Sequence, residues 1–220
     1  MHYVQISGSK TRYGVGKVVC VGRNYADHAR ELNNPVPAEP LWFIKPGSAV
    51  VSMQKQLIIP SDRGECHHEV EVAVLIGKTC TAINERDARD AIAGIGLGLD
   101  LTLRDIQASL KQKGHPWEIA KAFDGSCALS NFSPADEFPD LQAIEFALDI
   151  NGKRRQTGST QMQLFPVAKL VAVASQNFTL EPGDVVLTGT PAGVGVLNTG
   201  DLLHCELNGK CIAELVVVAR

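Results

Sequence analysis

The sequence predicts an irregular, strand-rich α+β fold, and three observations lead there. Short apolar or alternating runs bounded by Gly and Pro outnumber helical patterns along the chain. Asn-Gly pairs at 151–152 and 208–209 mark two tight hairpins. Regular alternation of strand and helix is absent, which disfavours a Rossmann sheet or a TIM barrel. At 220 residues, with 45% hydrophobic and 20% charged side chains, the chain suits one large domain or two small ones, with an ample core.

Taken in order, the run KVVCV at 17–21 is the first clear strand, followed by a helix over 24–33. Asn24 and Asp27 are spaced as a capping pair at its start. Pro35, Pro37 and Pro40 then enforce an extended loop, too early in the chain to be a domain boundary. Strands follow at 41–44, 57–59 and 68–76, then a helix over 84–93. The segment 94–104 alternates strictly and reads as a strand, with a helix over 104–113 after it. Ile144, Phe146, Leu148 and Ile150 alternate up to the first hairpin turn. Pro166 suits the first turn of a helix over 166–176, and Glu181-Pro182-Gly183-Asp184 is a tight turn. LLHCEL and KCIAELVVV flank the second hairpin.

Composition narrows the function classes. Lys plus Arg number 21 against 24 Asp plus Glu, so no basic surplus favours nucleic acid. No apolar stretch approaches the ~20 residues of a membrane span, and MHYVQISGSK lacks signal-peptide character, so a cytoplasmic protein is expected. Six cysteines without a C-x-x-C pair read as reduced and mostly packed.

The informative stretch is His67-His68-Glu69-Val70-Glu71-Val72-Ala73-Val74-Leu75-Ile76. With period 2, Val70, Val72, Val74 and Ile76 share one face and Glu69 and Glu71 the other, their Cα atoms ~7 Å apart. Two such carboxylates either face solvent at a sheet edge or converge on a cation. A second strand brings Ile95, Leu97, Leu99, Leu101 and Leu103 to one face and Gly96, Gly98, Asp100, Thr102 and Arg104 to the other. The glycines leave room for a close neighbour or ligand. Asp100 would complete an all-oxygen set suited to Mg²⁺, or to Mn²⁺ or Ca²⁺, rather than structural zinc.

Other motifs fail on inspection. Val72 stands where H-E-x-x-H needs its second His, no P-C-x-x-C follows His67-x-Glu69, and there is neither a G-x-S-x-G elbow nor a Walker lysine. The Gly-rich run 188–195 either offers backbone donors to an anion or is a flexible turn. His28 and Glu31, at i and i+3, are either a base with its orienting acid or a surface pair. Lys121, alone in an apolar run, either snorkels or meets a substrate carboxylate or oxyanion.

Together, VVCVGRNYADHARELN, FIKP, HHEVEVAVLIG, LDLTLRDIQ, WEIAKAFD, ING and LEPGDVVLTGTPAGVG resemble the fumarylacetoacetate hydrolase family. The likeness is greatest to its compact acylpyruvate hydrolase and oxaloacetate decarboxylase branch; 220 residues leave no room for the extra N-terminal domain of larger members. The resemblance implies a mixed β-sandwich or roll forming a single catalytic domain over 1–220, a homodimer, and one divalent metal on Glu69, Glu71 and Asp100. It makes His28 and Glu31 a water-activating dyad on a lid. Lys121, Arg104, Gln107 and Thr190 would contact the oxo-acid end of the substrate, Lys121 also stabilising the oxyanion, with Lys45 also matching the motif.

These implications converge on a small anionic 2-oxo acid. The main expectation is hydrolysis of an acylpyruvate to pyruvate and a carboxylic acid. Decarboxylation or keto–enol tautomerisation of oxaloacetate uses the same enolate chemistry, and a catalytically silent 2-oxo-acid-binding protein is the non-enzymatic alternative.

Overall fold

Strand-forming runs of Val, Ile and Leu at 70–76 and 92–100 pair antiparallel at the centre of an eight-stranded mixed sheet. The computed structural model describes residues 2–220. Across this sheet the strands run Leu41–Pro46, Lys17–Gly22, Val185–Leu187, Val70–Ile76, Ile92–Asp100, Cys127–Leu129 and Val50–Ser52, with Ser133–Pro134 added onto Ile92–Asp100. The Lys17–Gly22 and Val185–Leu187 strands are parallel, as are Cys127–Leu129 and Val50–Ser52. A five-stranded sheet packs beside it in the order Lys153–Ser159, Glu145–Ile150, Leu202–Leu207, Lys210–Ala219 and Lys55–Ile59.

Both faces of the central sheet are buried. Val70, Val72, Val74, Ile95, Leu97 and Leu99 point into the core shared with Phe146, Leu148, Leu203 and the Val167–Asn177 helix. Ala73, Leu75, Val18, Cys20 and Leu187 fill a second core on the opposite face. Each buried Val, Leu, Ile or Phe among them contributes ~1.5–3 kcal/mol. Gly98 is a packing glycine, since a Cβ there would lie 2.5 Å from Leu187 Cδ2. Its open side therefore serves a close neighbour rather than a ligand.

Both hairpin turns hold as expected. Asn151 and Gly152 have φ of 55° and 71°, Asn208 and Gly209 47° and 73°, the left-handed pair a two-residue turn requires. Gly183, at φ 100°, turns the chain between Glu181 and Asp184. The helix Arg104–Lys113 closes on Gly114 at φ 65°.

Four local expectations change. The strand read over 68–76 breaks at Glu69 into Cys66–His68 and Val70–Ile76, because Cys66–His68 peels off to pair with Thr102–Leu103 and Gly195–Val196. The strand read over 94–104 likewise ends at Asp100, and Arg104 opens a helix. The helix expected over 84–93 shrinks to the turns Glu85–Asp87 and Ala88–Ala91, since Ile92 and Ala93 are taken by the central sheet. Asn24 and Asp27 form no capping pair: the helix is Ala26–Glu31, and Asn24 bridges Thr188 O, Phe165 O and Phe165 N–H instead. Among the described residues all six cysteines are free, with only Cys211 exposed.

Candidate functional site

The break at Glu69 and the register of the two central strands create the site. Glu71 lies opposite Gly98, and the Asp100 N–H donates to Glu69 O at 2.9 Å. Glu69, Glu71 and Asp100 thereby fall on one face, with a carboxylate oxygen from each within 4.8 Å of the others. All three are buried, Glu71 to 2% exposure, so the solvent-edge explanation of Glu-x-Glu does not hold. A second group, His204, Cys211 and Glu214, lies on the five-stranded sheet and is largely solvent-exposed.

Three cations face the three carboxylates. Lys121 Nζ donates to Glu69 Oε2 at 2.8 Å and Asp100 Oδ2 at 2.6 Å. Lys45 Nζ sits 2.8 Å from Asp100 Oδ1, and the Arg104 guanidinium pairs with Glu69 Oε1, which also accepts from Thr102 Oγ1 at 2.9 Å. Burial alone would raise the Glu69 carboxyl, but Lys121 and Arg104, with His28, outweigh it and hold it well below the carboxylate range. Glu71 has no such partner. Burial, then Asp100 and Glu69, push it well above that range, against the more distant charge of Lys121 and a backbone N–H from Gly189 at 2.6 Å. A buried carboxyl beside two anions and without a cation is what a hard divalent ion would complete, and the all-oxygen donor set fits one.

The Nδ1 of His28 lies 3.2 Å from Glu31 Oε2. Glu31 in turn accepts from the Gly193 N–H at 3.0 Å, so the Gly-rich run spends its donors on Glu31 and Glu71. The His28 side chain is buried, against the surface-pair alternative. Lys121 is buried too, which excludes snorkelling.

Glu69, Glu71, Asp100, His28, Lys121, Arg104, Gln107 and Thr190 all line one cavity. Gln107 accepts from Arg104 Nη1 at 2.8 Å, which leaves its Nε2 free to donate. The Thr190 hydroxyl is committed, donating to Val70 O at 2.9 Å and accepting from Gln156 Nε2 at 2.8 Å. Lys45 is fully buried behind Asp100 and outside the cavity lining, so it braces the carboxylates rather than meeting a substrate. Sequence reasoning missed Gln156, which holds both Thr190 and His68 Nδ1, the latter at 3.0 Å. A lone Gln in an exposed-looking strand, KRRQTGS, carries no signal of that role.

Comparison with known proteins agrees with this geometry. The chain is 51% identical over 211 residues to the oxaloacetate tautomerase YcgM of Escherichia coli, covering 96% of each chain. It is 42% identical over 192 residues to the mitochondrial oxaloacetate tautomerase FAHD1 of Bos taurus, covering 87% of each. The structure of fumarylpyruvate hydrolase from Pseudomonas aeruginosa in complex with Mn²⁺ and pyruvate superposes with a TM-score of 0.93 at 36% identity, over 100% of this chain and 96% of that one. Residues 17–218 match the family described as fumarylacetoacetate (FAA) hydrolase, C-terminal, so the chain belongs to the fumarylacetoacetate hydrolase family.

Proposed function

We propose that the protein is a divalent-metal-dependent oxaloacetate keto–enol tautomerase, working as one catalytic unit and as a homodimer in the cytoplasm. The observation that carries this reading is a buried His28, paired with Glu31, lining one cavity with three buried carboxylates, which sets an acid–base group beside a metal-binding set as proton transfer at an enolisable carbon requires. The identity to tautomerases of Escherichia coli and Bos taurus points the same way, toward tautomerisation ahead of the expected acylpyruvate hydrolysis.

Glu69, Glu71 and Asp100 would hold Mg²⁺ or Mn²⁺, which supplies Lewis acidity to the 2-oxo and carboxylate oxygens when bound. Glu31, itself fixed by the Gly193 N–H, fixes the tautomer of His28 with Nδ1 as donor. His28 Nε2 is then free to take a proton from C3 of the keto form; delivery of a proton to the 2-oxo oxygen completes the enol, and the reverse direction takes that proton off and restores one to C3. Lys121, charged and buried beside the carboxylates, donates to the 2-oxo oxygen as negative charge builds there. Arg104 orients Gln107, whose Nε2 donates to the substrate carboxylate. Thr190 shapes the wall, since its hydroxyl proton is already spent on Val70 O.

Acylpyruvate hydrolysis is the second reading, favoured by the likeness to the fumarylpyruvate hydrolase structure. The test follows enol-oxaloacetate absorbance and pyruvate release in parallel, with oxaloacetate, acetylpyruvate and fumarylpyruvate, with Mg²⁺ or EDTA, and in His28→Ala. Metal- and His28-dependent enol loss without pyruvate is expected. Pyruvate with the matching acid from an acylpyruvate would establish the hydrolase instead, and pyruvate from oxaloacetate a decarboxylase.

A further inference from the structure

Two cations of the cavity take no part in the charge balance around the carboxylates. Lys45, Lys121 and Arg104 are each paired with Glu69, Asp100 or both. Arg23 and Lys111 line the same cavity, and among the described residues neither has a carboxylate within ion-pair distance. The single polar contact of the Lys111 ammonium is Asn34 Oδ1 at 3.0 Å, another lining residue. Burial first, then the like charges of Arg23 and Arg104, depress the Lys111 ammonium below its usual value.

The backbone holds them there. Arg104, Gln107 and Lys111 fall at i, i+3 and i+7 on one face of the Arg104–Lys113 helix. Lys111 is one turn, ~6 Å along the axis, beyond Gln107. Arg23 has φ 61°, a left-handed conformation unfavourable for a side chain with a Cβ. It is imposed by Asn24, which is fully buried and locked to Thr188 O and Phe165. A strained residue whose charged side chain lines a cavity without a partner points to a ligand.

We propose that Arg23 and Lys111 form a second anion subsite at the cavity mouth, which takes the distal carboxylate of a four-carbon dicarboxylic 2-oxo acid and selects such substrates over monocarboxylates. The inference rests on the 2-oxo-acid reading and names its substrate class. The metal end would hold one carboxylate, and the second, one helical turn outward, would meet Arg23 and Lys111. A substrate ending in a methyl group would leave both cations unpaired.

The test is calorimetric binding to Mn²⁺-loaded protein of malate and 2-hydroxybutyrate, which differ in carboxylate against methyl at the far end. Oxalate reports on the metal end alone. Wild type is expected to bind malate about tenfold or more tightly than 2-hydroxybutyrate, as one charge-assisted contact provides. Arg23→Gly, which suits the left-handed backbone, and Lys111→Met, on an exposed helix position, should each weaken malate about tenfold. Both should leave oxalate within about twofold, since a remote charge adds little to it. Equal affinity of wild type for malate and 2-hydroxybutyrate, or parallel loss of malate and oxalate in the variants, would overturn the subsite. The malate preference intact in a protein without oxaloacetate turnover would uphold the subsite and sink the tautomerase assignment alone.

Discussion

Replacing Lys45 with Met tests whether the carboxylate cluster is held together by its buried cations. Lys45 has no exposed surface, and its ammonium lies 2.8 Å from Asp100 Oδ1. The same group donates to Ser126 O at 3.0 Å, Ser126 Oγ at 3.1 Å and the carbonyl of Lys121. Met fills much of the volume but removes every one of these bonds. Breaking a buried ion pair from one side destabilises by ~3–5 kcal/mol, because the remaining charge is left without compensation. Orphaned carbonyls add to the loss, whereas water entry at the cavity relieves part of it, so ~4 kcal/mol is the expected deficit. For a chain of this length that lowers Tm by about 10 °C. Urea denaturation in EDTA measures it directly. Saturating Mn²⁺ should shrink the deficit, since a cation restores compensation beside Asp100. A loss below about 1 kcal/mol in EDTA, or a deficit unchanged by Mn²⁺, would refute the assignment of Lys45 as the brace of this site.

Other consequences are as specific. The Glu71 carboxyl is raised by burial and by Asp100 and Glu69, so its neutral form supports the metal-free fold. That support is complete below the unfolded carboxylate value and is lost as pH rises through the folded one. Metal-free protein should therefore weaken toward alkaline pH, and Glu71→Gln should flatten the trend in urea midpoints while abolishing Mn²⁺ binding. His28→Ala should lower turnover by ~10²–10⁴-fold, and Glu31→Gln by less, with metal affinity retained in both. Gly98→Ala would place a Cβ 2.5 Å from Leu187 Cδ2 and should reduce stability by ~1–3 kcal/mol in thermal melts. Burial pushes the Cys66, Cys127 and Cys205 thiols up to about 12, so a thiol reagent should label the native protein at the exposed Cys211 first.

Much of the architecture was legible because it rests on local rules. Asn-Gly at both hairpins demands the positive φ that both turns show. The period-2 pattern placed Val70, Val72 and Val74 on one face, and that face is core. Less legible was anything decided by a distant partner. Whether Glu71 meets solvent or protein depends on the second core layer built by Val18, Cys20 and Leu187, which local alternation does not report. Glu69 leaves its strand because Cys66–His68 pairs elsewhere, a tertiary competition that one apolar run conceals. Asn24 is a sound capping residue by type, yet long-range carbonyls at Thr188 and Phe165 bind it more completely than its own helix could. Gln156 was invisible for the same reason, its partners lying more than thirty residues away.

The charge arrangement explains how one site suits several reactions of one enolate. Glu69 and Asp100 are already compensated by lysines and arginine, so the cluster can fold without a metal. Glu71 alone lacks a cation and is the member that a metal would gain outright. An incoming cation therefore leaves the cavity net positive, and a 2-oxo acid restores the balance. Which reaction follows depends on what lies beyond that shared end: the reach of His28 to C3 or to a water, and the mouth where Arg23 and Lys111 stand.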